Sequence, residues 1–202
     1  MTAQPNQDPP ARDRRAERHT ATRSEILDAA WEQVRERGLA ALSLRDLATA
    51  VGMRAPSLYS YFESKNAIYD AMFAQGNEAF LERIRSVPAT GDARRDLRVG
   101  ARTFVDFCSE DVARAELLFQ RRIPDFEPST AAYAPAVQAL ELSRERLAAA
   151  GAPRDEDVDL YTALLSGLVS QQISNDPGGQ RWSGLVDEAV DMFLGHISGR
   201  QP

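Results

Sequence analysis

The chain has 202 residues, 43% of them hydrophobic and 27% charged, enough for one ordinary domain or for a small head on a larger body. Its net charge of −6 argues against a protein that coats nucleic acid without selectivity, and its single cysteine rules out an intrachain disulfide framework and fits a reducing cytoplasm. No window approaches the roughly 18 consecutive apolar residues of a membrane helix, and the N-terminal arginines precede no apolar stretch of a secretory signal.

Abundant alanine, leucine, arginine and glutamate, without alternating β-branched runs, predict an all-α fold of about nine helices. Charge is uneven: residues 1–66 hold ten basic and nine acidic groups, the rest fourteen and twenty-one. An acidic body with a locally basic end suits a protein whose one end meets phosphate.

In chain order, residues 1–20 are polar, hold three prolines and read as a disordered basic arm carrying Arg12, Arg14, Arg15 and Arg18. The arm either touches phosphate or the minor groove, or is a solvated tail. A first helix is predicted from Thr22, where Thr22 and Glu25 have the spacing of a capping box, to Arg37, with Gly38 as its stop. Ser43 is the next N-cap, with Leu44, Leu47, Ala48 and Val51 as a short buried face before Gly52, which suits a tight turn. Pro56 marks the start of a short helix whose Leu58 and Phe62 face inward, and Ser64 caps a long helix running through Phe73 and Phe80 to Val87.

Further helices are predicted at 92–109, 111–122 and 131–150, then one from Pro153 or Arg154 to the DPGGQ turn, then a last one. The helix beginning near Pro153 is apolar on two faces. With its successor it reads as a homodimer interface formed by Leu160, Leu164, Leu168, Val186, Val190, Phe193 and Ile197. The other reading is a central helix buried within a monomer.

Helix, tight turn, short helix and a basic residue at the next helix start form the grammar of a helix-turn-helix DNA reader. Lys65, the only lysine against twenty-three arginines, closes it. The stretch SLRDLATAVGMRAPSLYSYFESK, with Gly52, Leu58-Tyr59, Tyr61-Phe62 and Lys65 in order, resembles the TetR family of bacterial transcriptional regulators. The resemblance covers residues 22–75. It implies a three-helix DNA-binding head at 21–66, a helical effector-binding and dimerisation body at 67–202, and a homodimer. It further implies a repressor of a pseudo-palindromic operator, released by a small-molecule effector, that needs no cofactor or metal and acts at the nucleoid.

Because the N-terminal part of a helix in the major groove reaches base edges, Arg54, Ala55, Pro56, Ser57, Ser60 and Tyr61 lie on or just before the reading face, with Ser43 and Arg45 beside it. Arg45 or Arg54 suits a bidentate guanine contact, although Arg45 could instead pair with Asp46 or Glu25 and Arg54 could hold phosphate alone. The family resemblance gives Tyr59 and Lys65 to backbone phosphate and Tyr61 to phosphate or a base edge. Tyr59 packing the head is the alternative.

In the body, the resemblance would put an effector cavity among Phe73, Phe80, Phe104, Phe107, Leu118, Phe119, Phe126, Tyr133 and Tyr161, although such stripes also serve as plain core. Arg121 and Arg122 could greet an acidic ligand. Two rival readings are a helical adaptor dimer that has lost DNA reading and a helical Mg²⁺-dependent enzyme using Asp155, Glu156, Asp157 and Asp159. Acids in a first helical turn are, however, what the helix dipole favours.

Overall fold

The computed structural model describes residues 11–120 and 123–200, which form nine α-helices, two 3-10 turns and no strand. The helices are α1 (Ala11–Arg37), α2 (Leu44–Ala50), α3 (Ala55–Leu58), α4 (Lys65–Arg85), α5 (Ala93–Glu110), α6 (Val112–Phe119), α7 (Thr130–Ala149), α8 (Asp155–Asn175) and α9 (Val186–Ser198). The chain divides into two compact units, residues 1–69 and 70–202, with the division inside α4.

In the first unit α1 starts at Ala11, well before Thr22. Alanine, arginine and glutamate between residues 11 and 21 have high helix propensity, which outweighs the absence of an apolar stripe there. The disordered-arm reading is therefore corrected for residues 11–20; residues 1–10 lie outside the described ones. Ile26, Ala30, Trp31 and Val34 of α1 pack with Leu39, Leu42, Leu47, Leu58, Phe62 and Ile68 into one small core. Gly38 takes φ +80 where α1 stops. Tyr69 is buried in that core and its hydroxyl donates to the Leu39 carbonyl at 2.5 Å. Burial pushes this phenol up to about 12.

The second unit is built around α5, which touches α6, α7, α8 and α9. Its Leu97, Ala101, Val105 and Cys108 meet Val158, Tyr161, Leu165 and Val169 of α8 and Val186, Val190, Phe193 and Ile197 of α9. The predicted interface is thus corrected in its α9 half. Val186, Val190, Phe193 and Ile197 are spent on the chain's own core, because the apolar stripe of α9 is only wide enough for one partner. Leu160 remains 43% exposed, Leu164 and Leu168 are half-buried, and Leu185 and Met192 are exposed apolar residues at α9. Arg94, Arg98 and Arg102, four residues apart on α5, bind Ser198, Asp191 and Asp187 in reverse order, so α5 and α9 run antiparallel. Such exposed pairs fix register more than they stabilise.

Buried polar groups organise the ends of α8. Gln172 accepts from Trp182 N and Ser183 N at 2.9 Å and donates to Gly179 O at 3.1 Å, holding the turn into α9. Asp157, only 3% exposed, accepts from Arg154 at 2.9 Å and from Arg200 at 2.7 Å, tying the start of α8 to the end of the described chain. Asp155 pairs with Arg144, and Glu156 lies 4.0 Å from Arg154. Asp155, Glu156 and Asp157 are therefore engaged by arginines. Among the described residues no group of acidic, histidine or cysteine side chains is arranged to hold a metal ion.

Hydrogen bonds from Arg154, above all, hold the Asp157 carboxyl below the usual carboxylate range, with Arg200 adding to the effect. A depressed folded pKa contributes stability that is present above the unfolded value, about 3.9, and is lost as pH falls through the folded value. Asp157→Asn should cost about 2 kcal/mol at neutral pH. In urea titrations followed by circular dichroism, the gap between variant and wild type should shrink as pH is lowered below about 4. A pH-independent gap would show that the charge of Asp157 is irrelevant.

Candidate nucleic-acid interface and ligand cavity

The head places its candidate reading residues through three local devices. Ser43 caps α2, its hydroxyl accepting from Asp46 N at 3.3 Å, and its own N–H donates at 2.7 Å to Oε1 of the buried Gln33 of α1. Gly52 at φ +68 then reverses the chain, with Met53 N donating to Ala48 O at 2.8 Å. Arg54, extended, precedes α3, and Pro56 lies in its first turn, where a missing N–H costs nothing. Beyond Leu58 the chain continues as turns, with Ser60 N bonded to Ser57 O, and Tyr61 N and Phe62 N to Leu58 O.

Leu58 and Phe62 are buried anchors, so the opposite side of this segment faces out. Arg54, Pro56, Ser57, Tyr59 and Ser60 are exposed, Arg45 is exposed on α2, and Ala55, Tyr61 and Lys65 are half-buried. Tyr59 is 55% exposed, which rules out its packing alternative. Arg45 does not pair with Asp46, which binds Arg37 at 3.2 Å. Neither Arg45 nor Arg54 makes an ion pair among the described residues, so both guanidinium groups are available. The Ser60 hydroxyl donates to Ser57 O at 2.7 Å and so holds the turn.

Two predicted contacts are more constrained than the sequence indicates. The Tyr61 ring is stacked on His19 with centroids 4.8 Å apart. The Lys65 ammonium donates to Ala40 O at 3.2 Å and sits 5.5 Å from the Tyr69 ring centre, leaving two of its three N–H groups. Sequence reading missed Arg23, whose guanidinium lies 4.1 Å from the Phe62 ring centre and donates to Tyr61 O. Its only signal was the four-residue spacing of His19 and Arg23 on one face of α1. Arg14, Arg15 and Arg18 are exposed further along that helix.

The second unit encloses a cavity of about 360 Å³, walled by α4 to α8. Of the predicted residues, Phe80, Phe104, Phe119, Tyr133 and Tyr161 line it. Phe73, Leu118 and Phe126 line a separate recess, shared with Phe119 and Tyr133, beside the segment that follows α6. Phe107 lines neither: it is buried against Phe80 at 5.0 Å and capped by Arg114 at 4.0 Å, so its pocket assignment is corrected to core packing. The sequence missed Asn77, Ser143, Arg146, Thr162 and Ser166, which bring polar groups to the first cavity. Arg121 and Arg122 lie outside the described residues.

Residues 26–72 match the family model described as bacterial regulatory proteins, tetR family. Over that segment the chain is similar to bacterial regulators of the TetR family. It is 36% identical over 90 residues to the transcriptional repressor KstR2 of Rhodococcus jostii, a match covering 44% of this chain and 43% of that one. The chain thus spans under half the length of that relative. With the class A tetracycline repressor protein of Escherichia coli it shares 27% identity over 171 residues, covering 81% of this chain and 73% of the other. The fold matches the TetR family regulator PfmR of Thermus thermophilus with a TM-score of 0.62 at 24% identity, over 84% of this chain and 97% of that one.

The turn at Gly52 gives a direct check on how the two helices α2 and α3 are held. A Cβ built there meets nothing within 4 Å, so the cost of Gly52→Ala arises in the backbone alone. It should lower stability by about 1–2 kcal/mol, read as a reduced thermal midpoint. A neutral substitution would show that the positive φ is not needed.

Proposed function

We propose that this protein is a homodimeric transcriptional repressor that binds a pseudo-palindromic operator through its two heads and leaves it when a small molecule occupies the body cavity. The observation that carries the reading is the outward face of the head. Arg45 and Arg54 make no ion pair among the described residues on either side of the Gly52 turn, with Ser57 and Tyr59 exposed beside the buried anchors Leu58 and Phe62. A guanidinium held this way can take guanine O6 and N7 in a bidentate pair, while Tyr59 and the remaining N–H groups of Lys65 meet phosphate. Phosphate at the start of α4 would also be favoured by the positive end of the helix dipole. Ala55 offers its methyl to thymine, and Pro56, Ser43, Ser60 and Tyr61 shape and flank the face.

Double-stranded DNA is then the partner of the head, and a second copy of the chain is the partner of the body. The dimer face consists of Leu160, Leu164 and Leu168 of α8 with Leu185 and Met192 at α9, which the core leaves uncovered. Two-fold symmetry calls for half-sites about 34–36 Å apart, or a related spacing. Induction is a population shift, in which effector favours the body conformation whose heads no longer match that spacing. The site of action is the nucleoid within the cytoplasm.

Selection of bound fragments from genomic DNA should yield a palindromic motif, which then serves as the operator for titration. Arg54→Ala should weaken binding to it by roughly 10- to 100-fold and relax specificity at one base pair of each half-site. Tyr59→Ala combined with Lys65→Ala should weaken binding to all sequences alike and flatten the salt dependence of affinity. Fluorescence anisotropy at several salt concentrations reads both, with circular dichroism confirming the fold. Unchanged affinity in both variants would remove the head assignment and favour an adaptor. A fusion of the operator to a reporter gene, derepressed on deleting the regulator, tests the sign of the regulation.

A further inference from the structure

Among the described residues that line the body cavity, Arg146 of α7 is the only ionisable acid or base apart from the Tyr133 and Tyr161 phenols, and none is a carboxylate. On one side Phe80, Phe104 and Phe119 form a mutually packed aromatic wall, with centroid separations of 5.2 to 5.8 Å. The Arg146 guanidinium is positioned rather than free to leave: Nη2 donates to the Ile84 carbonyl at 3.1 Å. Its Nη1 lies 3.0 Å from the place a Cβ would take at Gly100, so α5 approaches it closely only because residue 100 is glycine. It makes no ion pair among the described residues. Asp96, the acid of α5 that feels its charge, is itself held by Thr90, accepting from the backbone N–H at 2.9 Å and from the hydroxyl at 2.6 Å.

A fixed guanidinium beside apolar walls has lost part of its hydration without gaining a counter-ion, which disfavours it unless an anion arrives. Its planar fork matches a carboxylate better than any neutral group. The remaining walls offer area to hydrocarbon or aromatic surface and neutral amide and hydroxyl groups, but among the described residues no carboxylate that would neutralise a cation. Resting on the reading of this cavity as the effector site, we infer that the cavity takes an amphipathic organic monoanion, with its carboxylate on Arg146 and its apolar body against Phe80, Phe104 and Phe119. The same arrangement selects against amines and against neutral molecules of the same shape.

The test uses the full-length protein and a matched set of probes: decanoate, 4-phenylbutyrate, 1-decanol and decylamine, measured by isothermal titration calorimetry. At least one of the two acids should bind, roughly 10- to 100-fold more tightly than the alcohol, and the amine should be weaker still. Arg146→Gln should bring the acid down to the affinity of the alcohol while leaving the alcohol unchanged. If that variant fails to fold, Gly100→Ala takes its place, because it keeps the charge but displaces the guanidinium, and the same selective loss is expected. Binding of neither acid, an alcohol as tight as the acid, or acid affinity untouched by the variant would each overturn the inference.

Operator release separates this inference from the effector reading. Acid binding that depends on Arg146 but leaves operator DNA bound would sustain the anion site and overturn the effector role. Release of DNA by decylamine or decanol, but not by the acids, would sustain an effector role and overturn the anion site.

Discussion

The segment that presents Arg54, Ser57 and Tyr59 is a helix of four residues, Ala55–Leu58, far too short to be stable by its own hydrogen bonds. Everything the head can do therefore depends on burying Leu58 and Phe62. Each full burial contributes about 1.5–3 kcal/mol and together they fix which side of the segment looks outward. The rest of the unit serves that constraint. Gln33 of α1 holds Ser43 at the entry to α2, Gly52 sets the turn, and Arg23 locks the exit by covering Phe62 and binding the Tyr61 carbonyl. A reading face with little intrinsic stability is thereby made rigid by α1, a helix that presents few reading residues of its own.

The body uses a different division of labour. Helix α5 supplies the shared core, and the Arg94, Arg98 and Arg102 series sets its register against α9. Once α9 has given its stripe to α5, its outer surface holds only Met192 and, just before it, Leu185 as exposed large apolar residues. The cavity lies where α7 closes over α4, α5 and α8. Its chemistry comes from a residue placed there by two carbonyl and glycine contacts, not by an ion pair.

Legibility followed the range of the interactions. The caps at Ser43 and Ser64, and the stop at Gly38, were readable because the groups that satisfy each helix end lie within a few residues. The first helix was cut short at Thr22 because a capping-box spacing looks the same whether or not a helix already runs through it; here residues 11–21 extend α1 on propensity alone. Phe107 was misassigned for a related reason, since a helical stripe shows that a ring is buried without showing whether a cavity or another ring lies in front of it.

The sequence by itself determined the all-helical class, the turn at Gly52, the inward pair Leu58 and Phe62, and hence which residues of the head face outward. All of these follow from periodicity and local backbone chemistry. Only the tertiary structure decided that, among the described residues, Arg45 and Arg54 make no ion pair while Arg37 takes Asp46, that α9 belongs to the core, and that Arg146 is the one charged side chain lining the cavity. These are pairings between residues distant in the chain. A charged side chain carries no local mark of the partner it will find or fail to find.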